Sequence, residues 1–444
     1  MRRVLSRRDL VLYGLVILTP TAPYPVFGII QQESQGQAAA GYLVAMVAMF
    51  FTAASYGKMA AVFPSAGSTY TYAQKGLNPH VGFLAGWAMI LDYFLIPLLS
   101  VIYASLTAER LLPQVPQWMW AIMFNGAITA VNLRGIRMTA RASSWLMAVM
   151  TGSAVLFAAL AVRYIVATQG VPGLFSWRSI QPAEGFSMSP LLLGAGIATL
   201  SYIGFDAIST LAEDTVDPRR DIGWATVAVC IVQGLICFGT AYLAAIVAPD
   251  YKAFQQPDTA ILDIGLTIGG QAMFGLLTLV LLVAGLASAL TGQAGASRLL
   301  LGMGRDGLLP RRIFADIDER TATPVRSILL MGAVSLLGSM VMRFQLAVEL
   351  LNFGALTGFI LVNLSVVNHY YVRARERRVW GHLVFPLVGA AVCGLLWLNL
   401  SGKAQLAGCG WLLLGTAYLA LLTRGFQSAP AALESLEEFD ADSG

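Results

Sequence analysis

The chain has 444 residues, of which 57% are hydrophobic and only 12% charged, with a formal net charge of +4. So few charges cannot cover a soluble protein of this length, whereas a protein facing lipid needs none along its waist; a soluble multidomain protein is excluded and an all-α integral membrane protein is expected. Most of the 28 Lys and Arg lie in the short segments flanking apolar runs rather than on one face, which excludes a nucleic-acid partner.

From the N-terminus, the chain opens MRRVLSRRDL. Ser6-Arg7-Arg8 ahead of an apolar run has the look of a twin-arginine export signal, but eleven further apolar runs follow, and the stretch is read as a positive cytoplasmic flank. A helix needs about 20 apolar residues to cross the hydrocarbon. Such runs fall at 9–31, 40–63, 80–107, 117–133, 141–168, 187–213, 221–248, 271–303, 324–342, 346–369, 383–400 and 405–424, which makes twelve predicted spans. With the N-terminus inside, 22 of the 28 Lys and Arg fall on the cytoplasmic side and 6 outside, so both termini are expected to be cytoplasmic. The last stretch, with Glu434, Glu437, Glu438, Asp440 and Asp442, reads as a disordered acidic tail.

Two spans are expected to break. Thr19-Pro20-Thr21-Ala22-Pro23-Tyr24-Pro25 puts three prolines halfway along the first, and proline both removes a backbone donor and clashes with the preceding turn. Unwound backbone at that depth is tolerated only where it is buried in protein or lines a cavity. The sixth span carries Gly194, Gly196 and the run Ser201-Tyr202-Ile203-Gly204-Phe205-Asp206, a weaker interruption; its glycines also suit close helix packing. Breaks at matching positions five spans apart point to a five-plus-five inverted repeat, whose half-helix ends offer free amides to a carboxylate and free carbonyls to an ammonium.

Intramembrane charge is costly and usually functional. Asp92 in the third span and Asp206 past the sixth-span break are the two carboxylates read as lying well inside spans. Asp206 suits a proton acceptor, a cation-binding group or a cap for loosened amides; Asp92 suits the same chemistry or simply orients Tyr93. Cys230, Cys237, Cys393 and Cys409 lie in apolar stretches without metal-type spacing, and His80, His369 and His382 fall near loop edges, so no metal or cofactor is expected.

Further motifs carry a family resemblance. They are Ser55-Tyr56-Gly57-Lys58, the run Phe63 to Lys75 (FPSAGSTYTYAQK), Asn78-Pro79-His80-Val81-Gly82-Phe83, Gly86-Trp87 and Leu91-Asp92-Tyr93. Later come Gly204-Phe205-Asp206, Ala212-Glu213-Asp214, Asp217-Pro218-Arg219, Ser297-Arg298-Leu299-Leu300, Met303 to Gly307, Asn352 to Leu356 and Val362 to Ser365. Together, over nearly the whole chain, they resemble amino acid–polyamine–organocation permeases, most of all the bacterial proton-coupled putrescine importers. The resemblance implies a LeuT-like inverted-repeat fold with broken first and sixth helices, and alternating access around a central site. It implies a cytoplasmic N-terminus at 1–8, a first repeat over 9–168, a second over 187–369, two additional helices over 383–424 and the acidic cytoplasmic tail over 425–444. By position it implies substrate contacts near Thr21, Ala22, Tyr24, Tyr93, Leu200, Ser201, Tyr202 and Ile203, and proton coupling at Asp206, with Asp92 beside it. Ser288 falls where sodium-coupled relatives of the wider fold place a hydroxyl ligand.

This chain departs from the pattern at three places. Putrescine importers place an aspartate where it has Pro25, which removes a partner for a second ammonium and leaves Asp92 as the candidate. Several amino-acid permeases carry a lysine in place of a sodium ion; aligned on Thr139-Ala140-Arg141, that position is Met150. Leu200 stands where some relatives have a gating aromatic, leaving occlusion to Tyr24 or Tyr202.

The expected function is therefore secondary import of a small amine, polyamine or amino acid across the bacterial inner membrane, driven by a proton in preference to sodium. Exchange of substrate against product suits the same residues. A non-transporting sensor would share the core motifs but call for a signalling domain. An enzyme is disfavoured, because no zinc-binding His-Glu pattern, cysteine cluster or Gly-x-Ser-x-Gly elbow is present, and the lack of a Walker loop argues against ATP coupling.

Overall fold

The computed structural model describes residues 5–64, 68–135, 140–177, 180, 188–305, 309–318, 323–376 and 378–427. The acidic tail from Ser428, together with Ser65-Ala66-Gly67 and Asp306-Gly307 of the motifs above, lies outside them.

Among the described residues every element is helical, apart from two isolated bridges, Leu5 with Thr215 and Asp318 with Thr323. Ser6 caps α1 (Arg7–Leu18) in a capping box with Asp9, and the three prolines end that helix. The chain turns through 19–26 and resumes as α2 (Phe27–Glu33). Then follow α3 (Ala38–Val62), the short α4 (Ser68–Gly76) and α5 (Pro79–Leu111). Asn78 caps α5 by accepting from the Val81 amide at 2.9 Å, with Pro79 at the first helical position, where its missing donor costs nothing. Next are α6 (Gln117–Leu133) and α7 (Ala140–Gln169).

The second interruption lies after α8 (Met188–Ala198): a tight 3₁₀ turn over Thr199–Tyr202, extended Ile203, left-handed Gly204 at φ 115°, then a 3₁₀ stretch over Phe205–Asp214. Pro218 opens α9 (Pro218–Val247). After it come α10 (Ala260–Arg305), kinked at Gly270 where φ is 64°, and α11 (Arg311–Phe314). The last are α12 (Val325–Val341), α13 (Phe344–Val366), α14 (Phe385–Leu398) and α15 (Gly402–Leu422). Wide π-helical turns extend α13 through Val367–Arg373 and precede α14 over Val379–Val384.

Nine helices among the described residues are long and apolar enough to cross a membrane, and Val325–Val341 is an apolar helix that falls short by length. The first predicted span does not register by length because its break divides it into pieces of 12 and 7 residues. The core runs along α3, α5, α9 and α13. α3 and α9 meet backbone to backbone at Gly57 and Gly223; a Cβ on Gly57 would fall 2.4 Å from the Gly223 Cα, so only glycine allows the approach.

Candidate functional site

The two helix interruptions face each other. In the first, the Ala22 amide donates to Thr19 O at 3.2 Å and the Tyr24 amide to Thr21 O at 3.0 Å, so the proline-rich stretch is a defined turn. Thr21 and Tyr24 are buried, and the Tyr24 ring lies 5.4 Å from Phe157 of α7. Across the gap, Ser201 Oγ donates to Ala22 O at 3.3 Å and lies 3.3 Å from the Tyr42 hydroxyl of α3. The Tyr202 hydroxyl donates to Tyr42 O at 2.9 Å, which spends that side chain on packing. Leu200, Ile203 and Ala22 are half-buried around the same gap. The second interruption seats closely on the first because Gly204 has no Cβ, which would fall 2.6 Å from Ile17 Cγ2.

Asp206 follows at the start of the Phe205–Asp214 stretch, half-buried, its carboxylate turned to the backbone amides there. Asp92 is buried on α5, and its Oδ1 has no hydrogen-bond partner among the described residues. The two carboxylates are within electrostatic reach of each other and of Tyr56 and Tyr93. Tyr56 is held by a hydrogen bond with Thr69 of α4, and its ring packs 5.4 Å from Phe205. Tyr93, next to Asp92 on α5, is 45% exposed. A buried carboxylate with an idle oxygen beside tyrosines is suited to receive a proton or an ammonium.

Ser288 stands apart from this group. It lies exposed on α10 and accepts from Ser100 Oγ of α5 at 3.0 Å. Met150 is buried on α7. No group of three or more His, Cys, Asp or Glu suited to a metal occurs among the described residues. A cavity of about 650 Å³ is lined by Glu109, Arg110, Gln256, Gln271 and Phe274, away from both breaks. Arg110 is already engaged there with Asp263 and Gln256.

Three further buried polar residues serve the interior, none of which the sequence marks as a site residue. Gln233 of α9 is fully buried and donates from Nε2 to carbonyls of both breaks. Asn352 of α13 donates to Gly196 O at 2.8 Å and Ile197 O at 3.3 Å, holding the last turn of α8. Glu349 is 1% exposed, a third carboxylate within a predicted span; its Oε2 accepts from the Ser401 amide at 2.7 Å, at the N-terminus of α15, where the helix dipole favours an anion. An amide in the middle of an apolar run, as at Gln233, is the sequence signal that was there to be read.

The Amino acid permease family model matches residues 27–423, nearly the whole of this architecture. The chain belongs to that family. It is a multi-pass membrane permease and not an enzyme, as the resemblance implied. Among its relatives, the low-affinity putrescine importer PlaP of Escherichia coli (strain K12) is 33% identical over 434 residues, covering 96% of this chain and 95% of the relative. Two Bacillus subtilis (strain 168) proteins are also similar. The branched-chain amino acid permease BcaP is 27% identical over 96% of this chain and 94% of its own length. The methylthioribose transporter is 26% identical over 95% and 94%.

Proposed function

We propose that this permease is a secondary active importer of a small amine, polyamine or amino acid in the bacterial plasma membrane. It works by alternating access, with a proton rather than sodium as the coupling ion. The observation that carries this reading is the pairing of two helix breaks across one gap with Asp206 and Asp92 beside it. Half-helix amides suit a substrate carboxylate, tyrosine faces and carboxylates suit an ammonium, and a carboxylate that changes protonation between the two faces of the membrane couples transport to protons. Twelve spans with both termini cytoplasmic, and repeats over 9–168 and 187–369, belong to the same reading, and the separation of the two breaks by five predicted spans supports it.

The relatives' names span a diamine importer, a branched-chain amino acid permease and a methylthioribose transporter, so substrate choice is the first experiment. The purified protein is melted with putrescine, cadaverine and a panel of amino acids at two pH values. A ligand that binds only the folded state raises the melting temperature with the logarithm of its concentration over its dissociation constant. Stabilisation by diamines assigns the second ammonium to Asp92 despite Pro25; stabilisation by zwitterions alone assigns the ligand to the helix ends. If no amine or amino acid shifts the melt, the proposal falls. Counterflow in proteoliposomes without a pH gradient then separates import from exchange.

A further inference from the structure

Gln233 sits midway along α9 with no exposed surface. Its Nε2 lies 3.1 Å from Thr19 O, 3.2 Å from Ser201 O, 3.4 Å from Leu18 O and 3.5 Å from Cys237 Sγ. A side-chain amide has two hydrogens, so the two shortest contacts, one to each break, take them and the longer two share. Three surrounding oxygens are carbonyls that can only accept, which fixes the amide nitrogen toward them and leaves Oε1 buried without a partner among the described residues.

The need for such a donor follows from the breaks. The last carbonyls of a helix have no intrahelical partner, and in an apolar interior each must find one elsewhere. α1 ends at Leu18 and the turn after α8 ends at Tyr202, so both breaks turn carbonyls toward the same point on α9: Leu18 O and Ser201 O, and Thr19 O, which also accepts from the Ala22 amide. The neighbouring residue makes room for the arrangement. A Cβ on Gly234 would fall 2.4 Å from Met46 Sδ and 3.1 Å from the Tyr202 hydroxyl, so glycine lets the Tyr202 ring and α3 close in around the amide.

We propose that Gln233 is a positioning residue that locks the two breaks to each other, so that the backbone groups lining the gap shift together when the site opens. A consequence for recognition rests on the proposed function: the Leu18, Thr19 and Ser201 carbonyls share their acceptor capacity with Gln233, and Ala22 O with Ser201, which makes the charged carboxylates the stronger partners for a substrate ammonium.

The lock is tested without substrate by hydrogen–deuterium exchange on the full-length protein in detergent. Gln233→Met keeps the volume and removes both donors. Peptides over 15–27 and 198–208 are expected to exchange roughly tenfold faster, both together, with peptides over 379–398 unchanged. Acceleration in one of the two only, in neither, or equally across the protein overturns the proposal. If Gln233→Met does not fold, Gln233→Glu, which keeps the shape with at most one donor hydrogen, is read by the same criterion. In proteoliposomes the variant is expected to lose kcat at least about tenfold with KM changed less than about threefold, because the lock is needed for concerted movement; a loss confined to KM also overturns it. If the wild-type protein transports nothing in the panel, the proposed function fails while the exchange experiment still decides Gln233.

Discussion

Asp206 and Asp92 show how burial and partnering separate two residues of one chemistry. Asp206 starts a helical stretch and faces backbone amides, whereas Asp92 keeps one buried oxygen without a hydrogen-bond partner among the described residues. Asparagine in place of Asp206 keeps the shape and one accepting oxygen toward the backbone amides but cannot carry a proton. Asp206→Asn is therefore expected to fold and to lose uptake driven by a proton gradient down to the level of protein-free vesicles. Concentrative uptake that persists under a pH gradient would remove Asp206 from the coupling step. At this scale the sequence marks Asp92 and Asp206, because charge stands out in apolar runs, and the family resemblance adds Ser201. The sequence did not expose what Gln233 and Asn352 do, since an amide's importance depends on which carbonyls surround it, and those come from elements 32 to 214 positions away.

Elements break here for reasons of different strength. Three prolines end α1 under any tertiary circumstances. The interruption after α8 holds no proline; Gly204 permits the left-handed backbone there, and packing against Ile17 makes it necessary. Gly204→Ala puts a side chain into a strained conformation and against Ile17, a cost of about 2 kcal/mol or more. Gly275→Ala, in the helical part of α10 with open space around it, serves as the control and is expected to raise stability by about 0.5–1 kcal/mol. Melting in detergent measures both; a Gly204→Ala protein as stable as the control would show that the turn is not held by that glycine. Span boundaries were largely legible: 117–133 coincides with α6, and the run starting at 271 begins just past the Gly270 kink. The predicted run omits Ala260–Gly269, the part of α10 that lies ahead of the Gly270 kink.

For the whole molecule, the ends of the broken first helix are anchored differently. Arg7 donates from Nε and Nη2 to Asp221 Oδ1 of α9 at 2.8 and 2.6 Å, and its guanidinium lies 5.1 Å from the Trp224 ring centre. Backbone hydrogen bonds between Leu5 and the segment 214–216 reinforce the tie. α1 and α9 are thus joined at this end by the ion pair and midway by Gln233. Arg7→Asp and Asp221→Arg are each expected to lower stability, and the double variant to recover part of it, with a coupling of about 1 kcal/mol for a partly exposed pair. Additive losses would mean the pair does not hold α1. A second clamp, in which Trp87 and Trp411 each donate to the other's carbonyl at 2.8 and 2.9 Å, fastens α15 to α5. It was invisible in sequence because the partners are 324 residues apart.

The sequence by itself determined that this chain lives in a membrane, where its first helix must break, and to which permease family it belongs. Those properties follow from composition, from proline's missing donor and from local motifs, none of which needs a fold to act. Tertiary structure alone decided that the two breaks meet, that Gln233 supplies donors to both, and that Asp92 keeps an oxygen free while Glu349 does not. Each of these depends on which backbone carbonyl or amide from a distant helix arrives within hydrogen-bond distance, and that is set by how the helices pack.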